Sequence, residues 1–161
     1  MKAVILAGGK GTRLAPYTHI LPKPMMPVGD RAILEVILGQ FSRAGISEVT
    51  LAVGHLASLM QAYFGDGSRY NLKITYAYEE KPLGTAGPLA LVEGLTETFL
   101  VANGDILTLL DLNQLIAFHK EHKAVCTIAS HQRTHKINLG VIEHAERSEE
   151  HTSELQSRQS I

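Results

Sequence analysis

Near the start of this 161-residue chain, three glycines and two cations crowd into Gly8-Gly9-Lys10-Gly11-Thr12-Arg13-Leu14. Glycines so closely spaced let backbone N–H groups approach an anion that a Cβ would hold away. Together with Leu6 and Ala7, which precede it, the run predicts a loop that cradles phosphates. Two common phosphate motifs do not fit. A P-loop needs Gly-Lys-Ser/Thr at its end, whereas Gly11 is followed by Thr12-Arg13. The dinucleotide fingerprint needs a glycine where Leu14 stands and an acid near the end of the second strand, where the chain has Gly54.

A second segment, Pro22-Lys23-Pro24-Met25-Met26-Pro27-Val28-Gly29, holds Lys23 between prolines. Proline fixes φ and biases the residue before it toward extended backbone, so the segment is stiff without being helix or strand. Met25, Met26 and Val28 are expected to be packed. A stiff mount suits a lysine that must reach one phosphate oxygen. Asp105 follows an apolar run; alone it would be a turn or cap residue, but beside a phosphate loop it becomes a candidate metal ligand. In the stretch from Glu79 to Gly87, Glu79 and Glu80 carry charge, and Gly84 and Thr85 offer backbone groups to a base edge. Eight histidines invite a zinc reading, with His119 and His122 on one helix and His131 and His135 on a loop. No third ligand is placed for them, and they are expected to be solvated. Cys126 is expected to be a buried strand residue.

The elements that must position these residues alternate. Lys2–Ala7, Glu48–Val53, Lys73–Tyr78, Phe99–Asn103, Val125–Ser130 and Leu139–Ile142 read as strands, short and rich in apolar or β-branched residues. Helices are expected over Ala32–Ala44, where Ile33, Val36, Ile37, Gln40, Phe41 and Ala44 form a stripe ended by Gly45, and over His55–Phe64, Thr85–Leu95 and Leu112–His122. Strand–helix alternation predicts an α/β fold, a parallel sheet with helices on both faces. Ligands in such sheets bind beyond the carboxyl ends of the strands.

Taken together, Gly8 to Leu14, Pro16, Thr18 and Pro22 to Gly29 resemble the signature of the sugar-1-phosphate nucleotidyltransferases, the NDP-sugar pyrophosphorylases. Glu79-Glu80-Lys81-Pro82-Leu83-Gly84-Thr85-Ala86-Gly87 resembles that family's base-recognition loop in the form found in mannose-1-phosphate guanylyltransferases, and Asn103-Gly104-Asp105 its magnesium-binding aspartate motif. The likeness runs over residues 2–142, with Ala32 where the family often has proline. It implies a three-layer Rossmann-like nucleotidyltransferase fold with a mostly parallel sheet, incomplete at the C-terminus. It also implies transfer of a nucleotidyl group from an NTP to a sugar 1-phosphate with Mg²⁺. GTP and mannose 1-phosphate are the leading pair. Uridylyl or thymidylyl transfer, or a non-catalytic nucleotide-binding regulatory module, is the alternative. The roles it implies are Arg13, Lys23 and Asp105 in catalysis, with Asp105 on the metal. Leu6, Ala7, Gly8, Gly9, Gly11, Thr12, Arg13, Lys23, Glu79, Gly84 and Thr85 would hold the NTP. Family members are longer, so this chain alone is expected not to turn over.

Composition agrees with that frame. Fifteen Lys and Arg against sixteen Asp and Glu leave a net charge of −1, which gives no support to a nucleic-acid or membrane-surface binder. Residues 1–31 nevertheless carry five basic side chains against one acid, Asp30. A single cysteine excludes an internal disulfide framework. No apolar run is long enough to span a bilayer and no signal peptide is evident, so a cytoplasmic location is expected. The last fifteen residues, 147–161, hold only Leu155 and Ile161 as apolar groups. Arg147–Ser157 resembles the translation of a sequencing-library adapter. Residues 1–146 are therefore expected to form the nucleotidyltransferase domain and 147–161 a read-through tail without an element. A homo-oligomer would be compatible with the longer protein.

Overall fold

The computed structural model describes residues 1–81, 83–137 and 157–160. It comprises two compact units, Met1–Phe118 and His119–Ile161. The first is built on four parallel strands, β1 (Lys2–Ala7), β4 (Glu48–Val53), β5 (Lys73–Tyr78) and β6 (Leu100–Asn103), in the spatial order β5-β4-β1-β6. Between β1 and β4 lie two short strands, β2 (Pro27–Val28) and β3 (Arg31–Ala32), paired antiparallel, and the helix α1 (Ile33–Arg43). Helix α2 (Ala57–Phe64) connects β4 to β5.

Alternation along the strands sorts the core. Ala3, Ile5 and Ala7 of β1, Val49, Leu51 and Val53 of β4 and Ile74 of β5 join one buried cluster with Leu34, Ile37, Leu38 and Phe41 of α1 and Met60 and Phe64 of α2. Val4, Ala52 and Ala77, at the intervening positions, are also buried, so the central strands are covered on both faces. This is the continuous apolar reading expected of parallel strands. Helix α1 ends in a Schellman arrangement, with Ile46 N–H donating to Phe41 O at 3.1 Å and Gly45 N–H to Ser42 O at 3.1 Å. At its start the Glu35 carboxylate accepts from Ala32 N–H at 3.0 Å.

Several expectations are corrected. The buried stripe of α1 is Leu34, Ile37, Leu38 and Phe41, not the face through Val36 and Gln40. Five of its first six residues are apolar, so periodicity alone does not choose the face; Glu35, held by Tyr70 Oη at 2.9 Å, turns it. Thr85–Leu95 forms only a five-residue 3₁₀ helix, Gly87–Leu91. Pro88 donates no N–H, and Gly87 and Gly94 add backbone entropy at both ends of the segment. Pro27–Val28 is a strand rather than irregular loop, and Val28 is exposed, whereas Pro22 and Pro24 are the buried residues of that segment.

In the second unit, β7 (Thr134–Ile137) pairs antiparallel with β8 (Ser157–Ser160), Thr134 opposite Ser160 and Ile137 opposite Ser157. A strand thus occurs in a stretch expected to hold no element, since a backbone ladder requires no apolar side chain. The expected strand Val125–Ser130 does not form. Val125, Cys126 and Ile128 are exposed, so Cys126 is not a core residue. An apolar, β-branched run becomes a strand only where a ladder and a covering layer receive it. The remaining expected strand, Leu139–Ile142, falls outside the described residues. Helix α3 (Leu112–His122) has the expected bounds and crosses the boundary between the units.

Candidate functional site

Three adjacent strands of the sheet end in glycine: β1 in Gly8, β4 in Gly54 and β6 in Gly104. The close approach of the chain there favours it. A Cβ on Gly54 would stand 3.0 Å from Gly8 O, and one on Gly104 would stand 3.3 Å from both Leu6 O and the Ala7 Cβ and 3.1 Å from Pro24 Cγ. Gly104 N–H donates to Leu6 O at 2.9 Å, which extends the β1–β6 ladder past its last pair. The carboxyl end of the sheet is therefore a floor of backbone.

The glycine loop rises from this floor. Gly9, Lys10 and Gly11 N–H groups find no acceptor among the described residues, as an anion-binding loop would leave them. Gly11 sits at φ +62°, and a Cβ there would meet Thr18 Cγ2 at 2.7 Å. Thr12, Arg13 and Leu14 form one 3₁₀ turn. Thr18 is 2% exposed and Thr18 Oγ1 donates to Gly11 O at 3.0 Å, while His55 Nε2 lies 3.1 Å from Thr18 O. Thr18 thus ties the loop to the segment after it, and His55 ties that segment to the exit of β4.

Lys23 begins a 3₁₀ turn, Lys23–Met25, whose backbone is closed by Met25 N–H to Pro22 O at 2.8 Å. Its Nζ meets Asp105 Oδ2, in an ion pair between residues 82 apart in the chain. Arg13 is exposed and makes no hydrogen bond or ion pair among the described residues. Glu79 follows β5, and its N–H donates to Val53 O at 2.8 Å. The Glu79 carboxylate lies against Gly8, where a Cβ would overlap it, and Oε2 accepts from Leu83 N–H at 3.3 Å.

Leu6, Ala7, Gly8, Gly11, Lys23, Glu79 and Asp105 are thus brought together. Gly9 and Thr12 border the group on the loop, and Arg13 projects from it. Gly84, at φ +79°, and Thr85 are exposed, and the Leu83–Glu79 bond ties their segment to the others; Pro82 lies outside the described residues. Sequence reasoning gave no structural role to His55 or Gly54, and it named Thr18 and Gly104 only as members of motifs. The glycine after each strand was a readable signal, whereas nothing in Tyr17-Thr18-His19 marked Thr18 as buried. His119 Nδ1 lies 2.9 Å from Thr127 Oγ1. Among the described residues no three His, Cys, Asp or Glu side chains group to hold a metal.

The family model for nucleotidyl transferases matches residues 2–155. The chain belongs to that family. It is 44% identical over 128 residues to a mannose-1-phosphate guanylyltransferase of Mycobacterium tuberculosis, covering 78% of this chain and 36% of that protein. It is 38% identical over 141 residues to a UTP–glucose-1-phosphate uridylyltransferase of Synechocystis, covering 80% and 36%. The nucleotidyl transferase chain therefore spans little more than a third of the length of these relatives. A crystal structure of HddC from Yersinia pseudotuberculosis complexed with GMP-PN superposes with a TM-score of 0.65 at 22% identity, over 99% of this chain and 71% of that one. That likeness shows the α/β Rossmann-like fold. Among the described residues no helix is long and apolar enough to cross a membrane.

Proposed function

We propose that this chain binds a nucleoside triphosphate on its glycine loop and presents it for nucleotidyl transfer to a sugar 1-phosphate, releasing pyrophosphate. GTP and mannose 1-phosphate are the leading pair, in line with the similarity to a mannose-1-phosphate guanylyltransferase. The observation that carries the reading is the meeting of Lys23 and Asp105 beside the glycine loop, at the carboxyl ends of parallel strands. A phosphate monoester has its second pKa at about 6, so the attacking oxygen is largely ionised at neutral pH and needs no general base. The remaining work is to join two polyanions and to stabilise charge that spreads as pyrophosphate leaves.

Free N–H groups of the loop would cradle the phosphates, Arg13 would hold the leaving pyrophosphate, and Lys23 would neutralise charge near the reacting phosphorus. The donor set fits a hard divalent cation. Asp105 already faces a cationic group, and Mg²⁺ is commonly held by one or two carboxylates plus substrate phosphates. Asp105 would hold Mg²⁺, which supplies charge neutralisation on phosphate oxygens when bound. A cytoplasmic site of action agrees with soluble, charged substrates.

Titration of the chain with the four common NTPs in Mg²⁺, followed by thermal stability and amide shifts, tests the reading. Saturable stabilisation is expected, with shifts at residues 6–13, 23 and 79–85. A folded domain that responds to no NTP would overturn it.

A further inference from the structure

Asp105 opens a loop that apolar burial does not hold down. Ile106, Leu107, Leu109 and Leu110 are all exposed, and within residues 106–110 only Thr108 is partly buried. Two side chains reach this loop from elsewhere in the fold. Lys23 meets Asp105, and Gln40, half-buried on α1, donates from Nε2 to Thr108 O at 2.7 Å, across 68 residues of chain. On the other side of Asp105, Gly104 N–H is fixed to Leu6 O. The carboxylate therefore stands between two anchored points, one on β1 at Gly104 and one on α1 at Thr108.

We propose that Gln40 is a positioning residue, which holds the Asp105 loop in the place where its carboxylate meets the metal. This deepens, and rests on, the nucleotidyl-transfer reading. Nucleotide binding treats the two ties differently. On that reading phosphate takes Lys23 and metal takes Asp105, so the first tie is given up in the liganded state. The second joins a neutral amide to a backbone carbonyl, and neither group is called on by the nucleotide. It persists, and keeps the loop in register while Asp105 changes partner. An amide suits the task because its NH₂ donates without bringing a charge near Asp105 or the cation. Glutamine is also a good helix former, so α1 carries this polar tie at little cost to itself.

The test uses two variants of the 161-residue chain. Gln40→Met keeps side-chain length and helix propensity but removes the donor, and Gln40→Glu sets an acceptor against Thr108 O. Each is titrated calorimetrically with GTP and with UTP over a range of Mg²⁺ and in EDTA, beside the wild type and Asp105→Asn. Both Gln40 variants should raise the Mg²⁺ concentration that half-restores nucleotide affinity by about threefold or more, the loss expected for one neutral hydrogen bond. Affinity in EDTA should not change. Without nucleotide or metal, the amide signals of Asp105 and of Leu109, whose nitrogen is bonded to the Thr108 carbonyl carbon, should shift in both. An unchanged Mg²⁺ midpoint where Asp105→Asn raises it, or an unmoved Asp105 signal, would overturn the Gln40 assignment alone. So would an equal loss of affinity with and without Mg²⁺, which marks a general loosening of the fold. An unchanged midpoint in Asp105→Asn would take Asp105 off the metal and the Gln40 assignment with it. Absence of binding of either nucleotide by the wild type would overturn the nucleotidyl-transfer reading as well.

Discussion

Lys23 and Asp105 form an ion pair that joins the proline-rich segment to the exit of β6. Their side chains are 38% and 29% exposed, so solvent screens the attraction and the pair adds little to folding. Its position is more telling: the cation proposed to meet phosphate and the carboxylate proposed to meet metal neutralise each other when the nucleotide is absent. On the proposed reading, binding would exchange one set of charge partners for another.

That exchange separates stability from ligand affinity. Asp105→Asn should change the unfolding free energy by less than about 1 kcal/mol. The Mg²⁺ concentration needed for NTP binding should nevertheless rise. Denaturant melts and NTP titrations at several Mg²⁺ levels check both halves, and an unchanged Mg²⁺ requirement would remove Asp105 from the site.

Arg13 is exposed and makes no hydrogen bond or ion pair among the described residues, so Arg13→Ala should leave stability within about 0.5 kcal/mol. NTP affinity should fall about tenfold or more through loss of a charged donor. In a longer protein carrying this segment, kcat/KM should drop by roughly 10²-fold. Retained affinity would place the pyrophosphate elsewhere.

The loop glycines are not equivalent. Gly11→Ala forces a Cβ at φ +62° into Thr18 Cγ2 and should destabilise by about 1–3 kcal/mol while loosening the loop. Gly9 faces open space at ordinary φ, so Gly9→Ala should fold normally and lose only ligand affinity. Thermal melts of the two variants, side by side, separate these cases; equal melting temperatures would contradict the geometry.

Alkaline stability should report on two tyrosines. Burial, followed by the hydrogen bond to Glu35, pushes the Tyr70 hydroxyl up to about 12. Burial chiefly does the same for Tyr76, also to about 12. A pKa raised on folding contributes stability that is present below the unfolded value near 10.0 and is lost as pH rises through the folded value. Urea midpoints should fall between pH 10 and pH 12, and Tyr70→Phe should flatten part of that slope, leaving the Tyr76 share. A slope untouched by Tyr70→Phe would show that the hydroxyl titrates alike in both states.

Much of the sheet was readable because β1, β4 and β5 are apolar or β-branched runs bounded by charges and glycines, and their observed limits match those read from the chain. Val125–Ser130 has the same composition but no ladder to join, a tertiary fact that periodicity does not carry. The site was legible in pieces. Gly8 to Arg13, Lys23 and Asp105 each declared a chemistry, yet the meeting of Lys23 with Asp105 depends on β6 lying beside β1, which no local pattern encodes. Thr18 was opaque for a related reason, since its burial comes from the folding of its neighbours around Gly11.

Gly8, Gly54 and Gly104 leave a floor without side chains beneath the site. A surface made of main chain recognises what all nucleotides share and is nearly indifferent to what distinguishes them. On the proposed reading, preference then resides in the walls, chiefly the segment leaving β5 from Glu79 onward. Platform and selector are separable parts, so grafting that segment between family members should transplant base preference without disturbing the phosphate grip.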